Sequence, residues 1–331
     1  MLYITTRSHC ETYTAAKTLT TDTALDGGLY VPFQMPSLSA AQLQGMSHAG
    51  IIAYVLSLFF RVNLTEDDIT QCIGSTDFKT ETADRKVTVA QLWNTAHRGF
   101  SEIEYGIYRK LCRDVTPCRQ VTQWPKIAIR IAVIAALTAN AADGLDIAVN
   151  SGDFIDPIAA YYCKEMGLPV GTILCATNEN GILWDLFTHG QASCGASVRK
   201  TGLPELDVAL PQQLERLIFS LYGMPQALEF CQCQEKGRVY KTLLPEQLSK
   251  GFAICVVSTQ RVDSVIHRVY STNRYILDTY SARTFGGLQD YRASSGDIRQ
   301  TLLLSTYSPV IHKDAVAKAL HMPAAKIAQL L

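Results

Sequence analysis

The sequence has no excess of either charge: 30 Lys and Arg against 30 Asp and Glu give a formal net charge of zero. Bulk attraction to nucleic acid or to an anionic membrane surface is therefore not signalled. It also lacks an apolar run long enough to span a bilayer, because the longest stretch, Ile127–Ala139, is interrupted by Arg130. Its opening residues, MLYITTRSHCETYT, do not follow the charged-then-apolar order of a secretory signal. The expectation from these absences is a cytoplasmic protein with no nucleic-acid or membrane partner. Cysteine is present, at 10 residues, but metal-ligand spacing is not. Cys231 and Cys233 are separated by one residue, which is neither a redox C-x-x-C nor half of a zinc site. Cys163, Cys175 and Cys255 lie in apolar segments, so reduced core thiols and no metal are expected.

A chain of 331 residues can bury a large core and divide into two parts. The richest stretch is Asp146–Gly190, LDIAVNSGDFIDPIAAYYCKEMGLPVGTILCATNENGILWDLFTHG. It reads as strand, turn, helix, strand, turn, helix. Ile147–Val149 and Val170–Ala176 are short, apolar and partly β-branched, the pattern of strands buried on both faces of a parallel sheet. Between them Asp156 suits an N-cap, Pro157 a first helical position and Gly167 a helix stop. Ligands in open parallel sheets lie outside the carboxyl ends of the strands. That rule places Ser151, Gly152, Asp153 and Phe154, and then Asn178, Glu179 and Asn180, at the mouth of a site.

Upstream, Leu2–Thr5 reads as a strand, and DGGLYVP at Asp26–Pro32 as a glycine turn feeding an extended segment. Residues Ser37–Leu111 read as mainly helical. Ile51, Ile52, Val55, Leu56, Phe59 and Phe60 form an apolar face. Thr65-Glu66-Asp67-Asp68 opens a helix with acids at the positive end of its dipole, and Val89, Leu92, Trp93 and Ala96 repeat at helical spacing. His48 and His97 belong to this scaffold. Downstream, Pro211 starts a helix carrying Leu214, Leu217, Ile218 and Leu221 on one face, with Glu215-Arg216 read as a structural pair or solvated face. Further strands are expected at Phe252–Ser258 and Thr301–Thr306, and a closing amphipathic helix at Asp314–Leu320. The whole predicts an α/β fold: a three-layer, mainly parallel sheet with helices on both faces, preceded by a mostly helical N-terminal region. The boundary falls at residues 1–114 and 115–331.

Several of these pieces resemble the threonine synthase family of fold-type II pyridoxal-phosphate enzymes. The opening YITTRS with LDGGLYVP is similar to that family's N-terminal segment. SGDFIDPIAAYYCKEMGLPV and CATNENGILWDLFTHG are similar to its later α/β half, and LLLSTYSPVIHK to its final strand. By that match Thr306 takes the position facing the pyridine nitrogen. The family's Pro-Thr-x-Ala-Phe-Lys-Asp-like motif, which supplies the Schiff-base lysine, and its glycine-rich phosphate loop are not found. The chain passes from YGIYRKLCRDVTPCRQVTQW directly into the later segment, so the resemblance implies a truncated form without the lysine and phosphate-loop block.

Without that lysine there is no internal imine, and without the loop little phosphate-binding energy. The expectation is a degenerate threonine-synthase-like protein with no pyridoxal phosphate (PLP), unknown catalytic residues, and a ligand-binding or protein-interaction role. The candidate ligand residues are Ser151, Gly152, Asp153, Phe154, Asn178, Glu179, Asn180 and Thr306. One alternative is an enzyme of different chemistry using Asp153, Asn178, Glu179 or His189. The other is a divergent PLP-dependent lyase, an O-phosphohomoserine phospho-lyase, in which Lys110 or Lys126 substitutes. A cysteine nucleophile, Cys10 beside His9 or Cys194 after His189, is weighed and set behind a structural role. The missing lobe also predicts self-association or a protein partner covering the surface it would leave.

Overall fold

The central sheet has the strand order Phe252–Val256, Val170–Thr177, Leu145–Asn150, Thr301–Ser305, Val87–Gln91, Thr80–Asp84. The first five run parallel, and the last pairs antiparallel with its neighbour. This computed structural model describes residues 1–94, 99–141, 144–201 and 203–331.

Alternation along the inner strands divides the core. Ile147 and Val149, Ile173 and Cys175, and Leu302 and Leu304 all enter the larger apolar cluster. The intervening Ala148, Leu174 and Leu303 enter the smaller one on the opposite face. Period-two geometry in a sheet covered on both sides requires this partition. Helices Gln123–Thr138, Ile155–Glu165 and His48–Phe60 pack on the first face. Helices Thr259–Asn273, Thr279–Ser295 and Lys313–Leu320 pack on the second. All four strands expected in the α/β region form, and the architecture is the layered, mainly parallel one that the sequence predicts.

The N-terminal segment forms a small antiparallel sheet, with Leu2–Thr5 between Tyr13–Thr14 and Tyr30–Pro32. Its turn needs glycine twice. Gly27 has φ +74°, and a Cβ on Gly28 would sit 2.8 Å from the Cβ of Thr5. Trp124 anchors this sheet to the core: its ring meets Tyr3, Phe59 and Tyr162, and Nε1 donates to the Tyr3 hydroxyl at 3.0 Å. On helix Glu66–Ile73, Thr65 and Asp68 form a capping box, as the acidic start predicts.

Two expectations change. Val89 lies in the strand Val87–Gln91, with Leu92 and Trp93 just after it, and not on a helix. Val-Thr-Val is a β-branched alternation, and pairing with Thr301–Ser305 places Val87 and Val89 in the second core cluster. Three apolar residues at short spacing do not separate the two periods; Ala96, the fourth of that series, lies outside the described residues, as does His97. Second, the cap of helix Ile155–Glu165 is Phe154, at φ +69°, and Asp156 falls in the first turn. Gly167, at φ +99°, ends that helix as expected.

His48 is structural as read, its Nδ1 accepting the Phe78 N–H at 3.0 Å. Glu215 and Arg216 are buried, not solvated, and bind elsewhere. Arg7 donates to both Glu215 oxygens, at 3.1 and 3.0 Å, and Arg216 donates to the Tyr30 carbonyl at 3.0 Å. Both residues tie the N-terminal sheet to helix Leu214–Tyr222.

Candidate functional site

A cavity of about 360 Å³ opens at the carboxyl ends of strands Leu145–Asn150 and Thr301–Ser305. The first strand and its loop supply Asn150, Ser151, Gly152 and Asp153, and the following helix supplies Ile155 and Asp156. Thr306 and Tyr307 follow the other strand. The opposite wall comes from two helices of the first core face, with Phe100 and Glu104 on Phe100–Leu111 and Lys126 and Arg130 on Gln123–Thr138. Glu205 and Tyr280 complete the rim, where the Tyr307 hydroxyl donates to Glu205 at 2.5 Å.

Arg130 organises this wall. Its guanidinium stacks on the Phe100 ring at 3.9 Å, its Nε lies 3.0 Å from Asp156 Oδ1, and its Nη2 lies 3.6 Å from Glu104 Oε1. Proximity is not matched by hydrogen-bond direction. Arg130 Nε and Nη1, Glu104 Oε1 and Asp156 Oδ1 are all buried without a hydrogen-bond partner among the described residues, as is Asn150 Oδ1. Glu104 is only 7% exposed. Burial pushes its carboxyl above the ordinary range, against the pull of Arg130 and Lys126. Asp153 is also raised, by burial first, with its acceptance of the Ile155 N–H pulling down and the charge of Asp156 pushing up.

Of the residues expected from sequence, Ser151, Gly152, Asp153 and Thr306 line the cavity together. Phe154 does not. It is fully buried, and its ring packs against Phe187 and Phe252. The turn at 178–180 is a hydrogen-bonded network outside the cavity lining, in which Glu179 Oε2 has no hydrogen-bond partner among the described residues. Asn178 Nδ2 donates to Thr201 Oγ1 at 3.0 Å and to Asp207 Oδ1 at 2.7 Å, while its Oδ1 accepts from the Asn180 backbone and side chain at 3.0 and 3.1 Å. Asn180 in turn bonds the backbone of Arg199. Glu179 accepts from the Thr259 N–H at 2.7 Å and faces the buried Arg283 at 3.8 Å. These residues tie loop to sheet.

The catalytic alternatives are spread apart. Lys110 bonds Asp68 and Gln71 on the helical scaffold at 3.2 and 2.8 Å. His9 packs on Phe219, and His189 on Trp184. Burial raises the Cys194 thiol, the opposite of nucleophile activation. Lys126 is the lysine that does reach the cavity among the described residues. Sequence reasoning passed over Glu104, Asn150, Arg130, Glu205, Tyr280 and Tyr307 as site residues. The one signal in view was Arg130 itself, a lone charge in an otherwise apolar helix. No group of three or more His, Cys, Asp or Glu among the described residues is placed to hold a metal ion.

The lining does not fit the phosphate of PLP. Among the described residues four carboxylates, Glu104, Asp153, Asp156 and Glu205, line the cavity beside two cations, Lys126 and Arg130. Three of the N–H groups around the helix start are in use: Ser151 donates to Ala176 at 2.8 Å, Phe154 to Ser151 at 2.7 Å, and Ile155 to Asp153 at 3.2 Å. The Asp153 carboxylate already occupies the positive end of the helix, where a dianion would have to sit.

Comparison with known proteins follows this geometry. Residues 2–76 match the family model described as threonine synthase N terminus. Threonine synthase of Saccharomyces cerevisiae is 30% identical over 191 residues, 52% of this chain and 37% of that protein. Human threonine synthase-like 1 is 27% identical over 144 residues, 42% of this chain and 19% of that protein. The matches thus span about a third of the length of the yeast relative and about a fifth of the human one. Among solved structures, a PLP-bound threonine synthase from Brucella melitensis superposes with TM-score 0.83 at 19% identity, covering 100% of this chain and 94% of that one. The yeast threonine synthase structure gives 0.81 at 19%, with the same coverage.

Proposed function

We propose that this chain, which has the threonine synthase-family fold, is a threonine-synthase-related protein without PLP-dependent catalysis that binds a small ligand in the cavity beside Arg130. The observation that carries this reading is the lining itself, in which charged side chains converge on about 360 Å³ while the Ser151, Phe154 and Ile155 N–H groups are committed within the protein. A cavity of this size suits a small molecule. Fold similarity alone does not carry an activity across, since function resides in the site.

The test is direct. The purified chain is incubated with PLP, treated with borohydride and digested. The expected result is no new absorbance near the visible edge and no reduced adduct. A stoichiometric adduct on Lys126 would overturn the reading in favour of the divergent lyase. Self-association is part of the same proposal. Strand Phe252–Val256 ends the sheet, and its last residue, Val256, is exposed. Sedimentation velocity is expected to show concentration-dependent dimers, and a monomer at all concentrations would remove that part.

A further inference from the structure

We propose that the turn at 203–207 is a latch over the cavity, which lifts off Tyr280 and Tyr307 to admit a ligand and is held shut by the hydrogen bond from Tyr307 to Glu205. This rests on the reading of the cavity as a small-molecule site and adds the way in.

Leu203, Leu206 and Tyr280, with Tyr307 packed against them, form a small apolar cluster separate from the two that flank the sheet. Leu206 is only 2% exposed, and the two tyrosine rings of the cluster lie 5.0 Å apart. The backbone of 203–210 hydrogen-bonds only to itself among the described residues, Leu206 donating to Leu203 at 2.9 Å and Asp207 to Pro204 at 3.2 Å. Side chains supply its ties to the rest of the protein. Asp207 accepts from Asn178 and from the Thr201 hydroxyl, each at 2.7 Å, and from the Thr201 N–H at 2.9 Å. Glu205 accepts from Tyr307 alone, at 2.5 Å on the exposed rim. The turn is thus tied three times at Asp207, where it pivots, and once at Glu205, where it releases.

Glu205, Leu206, Tyr280 and Tyr307 all line the cavity, so lifting the turn opens one of its walls. The other walls lack this freedom. Asn150 to Asp156 run from a strand of the sheet into a helix. The helices that carry Glu104 and Arg130 are joined by the Arg130 guanidinium, 3.9 Å over the Phe100 ring and 3.0 Å from Asp156. Segments with few buried apolar contacts open locally at a fraction of the cost of global unfolding. Within 203–207 only Leu203 and Leu206 are buried.

Tyr307→Phe keeps the ring and removes the donor. The purified chain and this variant, its folding checked by urea midpoint, are compared in two assays at neutral pH. A glutamate-specific protease reads cleavage after Glu205, which requires the turn to leave the body. A brief pulse of acetic anhydride, followed by peptide mass spectrometry, reads acetylation of Lys126 on the far wall of the cavity. Both are expected to be about fivefold faster in Tyr307→Phe, the factor that one lost hydrogen bond implies. Cleavage is expected to rise with urea far less steeply than global unfolding does, because a local opening exposes little surface. Should Tyr307→Phe fail to fold, Leu203→Ala, which loosens the same cluster without touching the cavity lining, takes its place. An unchanged cleavage rate in the variant, or a urea dependence as steep as that of global unfolding, would overturn the latch. Faster cleavage with Lys126 acetylation unchanged would overturn its role as the way into the cavity. Neither assay uses a ligand, so failure of the latch is distinguishable from failure of the small-molecule reading.

Discussion

Two turns leave the same end of the same sheet, and they have opposite characters. The turn at 151–156 follows strand Leu145–Asn150, and the turn at 178–180 follows strand Val170–Thr177. By sequence the second is the more polar and the more attractive as a ligand site. In the structure its amides are spent on Thr201, Asp207, Arg199 and each other, and its carboxylate on Thr259 through one oxygen, the other facing Arg283 at 3.8 Å. The first turn instead abuts a cavity, where Asp156 faces Arg130 at 3.0 Å. Polarity at a sheet mouth therefore does not identify a site. What separates the two turns is that the first borders open space and the second is turned onto other loops of the protein.

The largest effect that separates the two turns is expected at Asn178. Asn178→Ala removes two donors and a doubly used acceptor from a fully buried position, and it leaves the buried Asn180 N–H without its acceptor, while Asp207 keeps Thr201. The expected loss is about 3 kcal/mol of stability, read as a lower urea midpoint. A variant as stable as wild type would remove the structural role assigned to this turn.

Much of the fold could be read from sequence because sheets covered on both sides force a period of two. Ile147, Ala148 and Val149 report their faces by alternation alone. The mouth could be read for the same reason, since strand ends fix where loops emerge. The far wall could not. Glu104 and Arg130 lie on separate helices and meet only when both pack against the sheet. Local pattern carries no trace of such a meeting beyond the oddity of an arginine among Ile, Ala and Val. Phe154 misled for a backbone reason: at φ +69° its ring turns away from the loop's polar face into the core. The hydrogen-bonded network at 178–180 depends on Thr201 and Asp207, more than 20 residues on, and residue type alone does not reveal which amides find partners.

A smaller effect is expected at Asp153, the member of the first turn that does serve structure. Its Oδ1 accepts the Ile155 N–H at 3.2 Å at the start of helix Ile155–Glu165. Asp153→Ala should cost about 1 kcal/mol, the usual worth of an N-terminal cap. Asp153→Asn should cost less than Asp153→Ala, because the acceptor is kept and burial already makes the ionised carboxylate a cost at neutral pH. Chemical denaturation of both variants checks the order. Equal losses for Ala and Asn would mean that charge, not the hydrogen bond, is what the helix start uses.

The smallest effect, and the sharpest test of the comparison, is a gain. Glu104 is nearly dry, and burial holds its folded-state pKa above the ordinary 4.5 despite Arg130 and Lys126. A carboxyl raised on folding contributes stability that is complete below the unfolded value and is lost as pH rises through the folded one. At neutral pH the ionised Glu104 is thus a net cost to the empty protein. Glu104→Gln keeps the size and shape and removes the charge. It should raise the urea midpoint modestly at neutral pH, and the advantage should shrink to nothing as pH falls past about 4.5. Asn178, whose partners are all in place, has no such trade to make, so no isosteric change there should stabilise the chain. If Glu104→Gln is less stable than wild type at neutral pH, with a gap that does not vary with pH, the carboxylate belongs to a structural ion pair with Arg130. The first turn would then be as self-sufficient as the second.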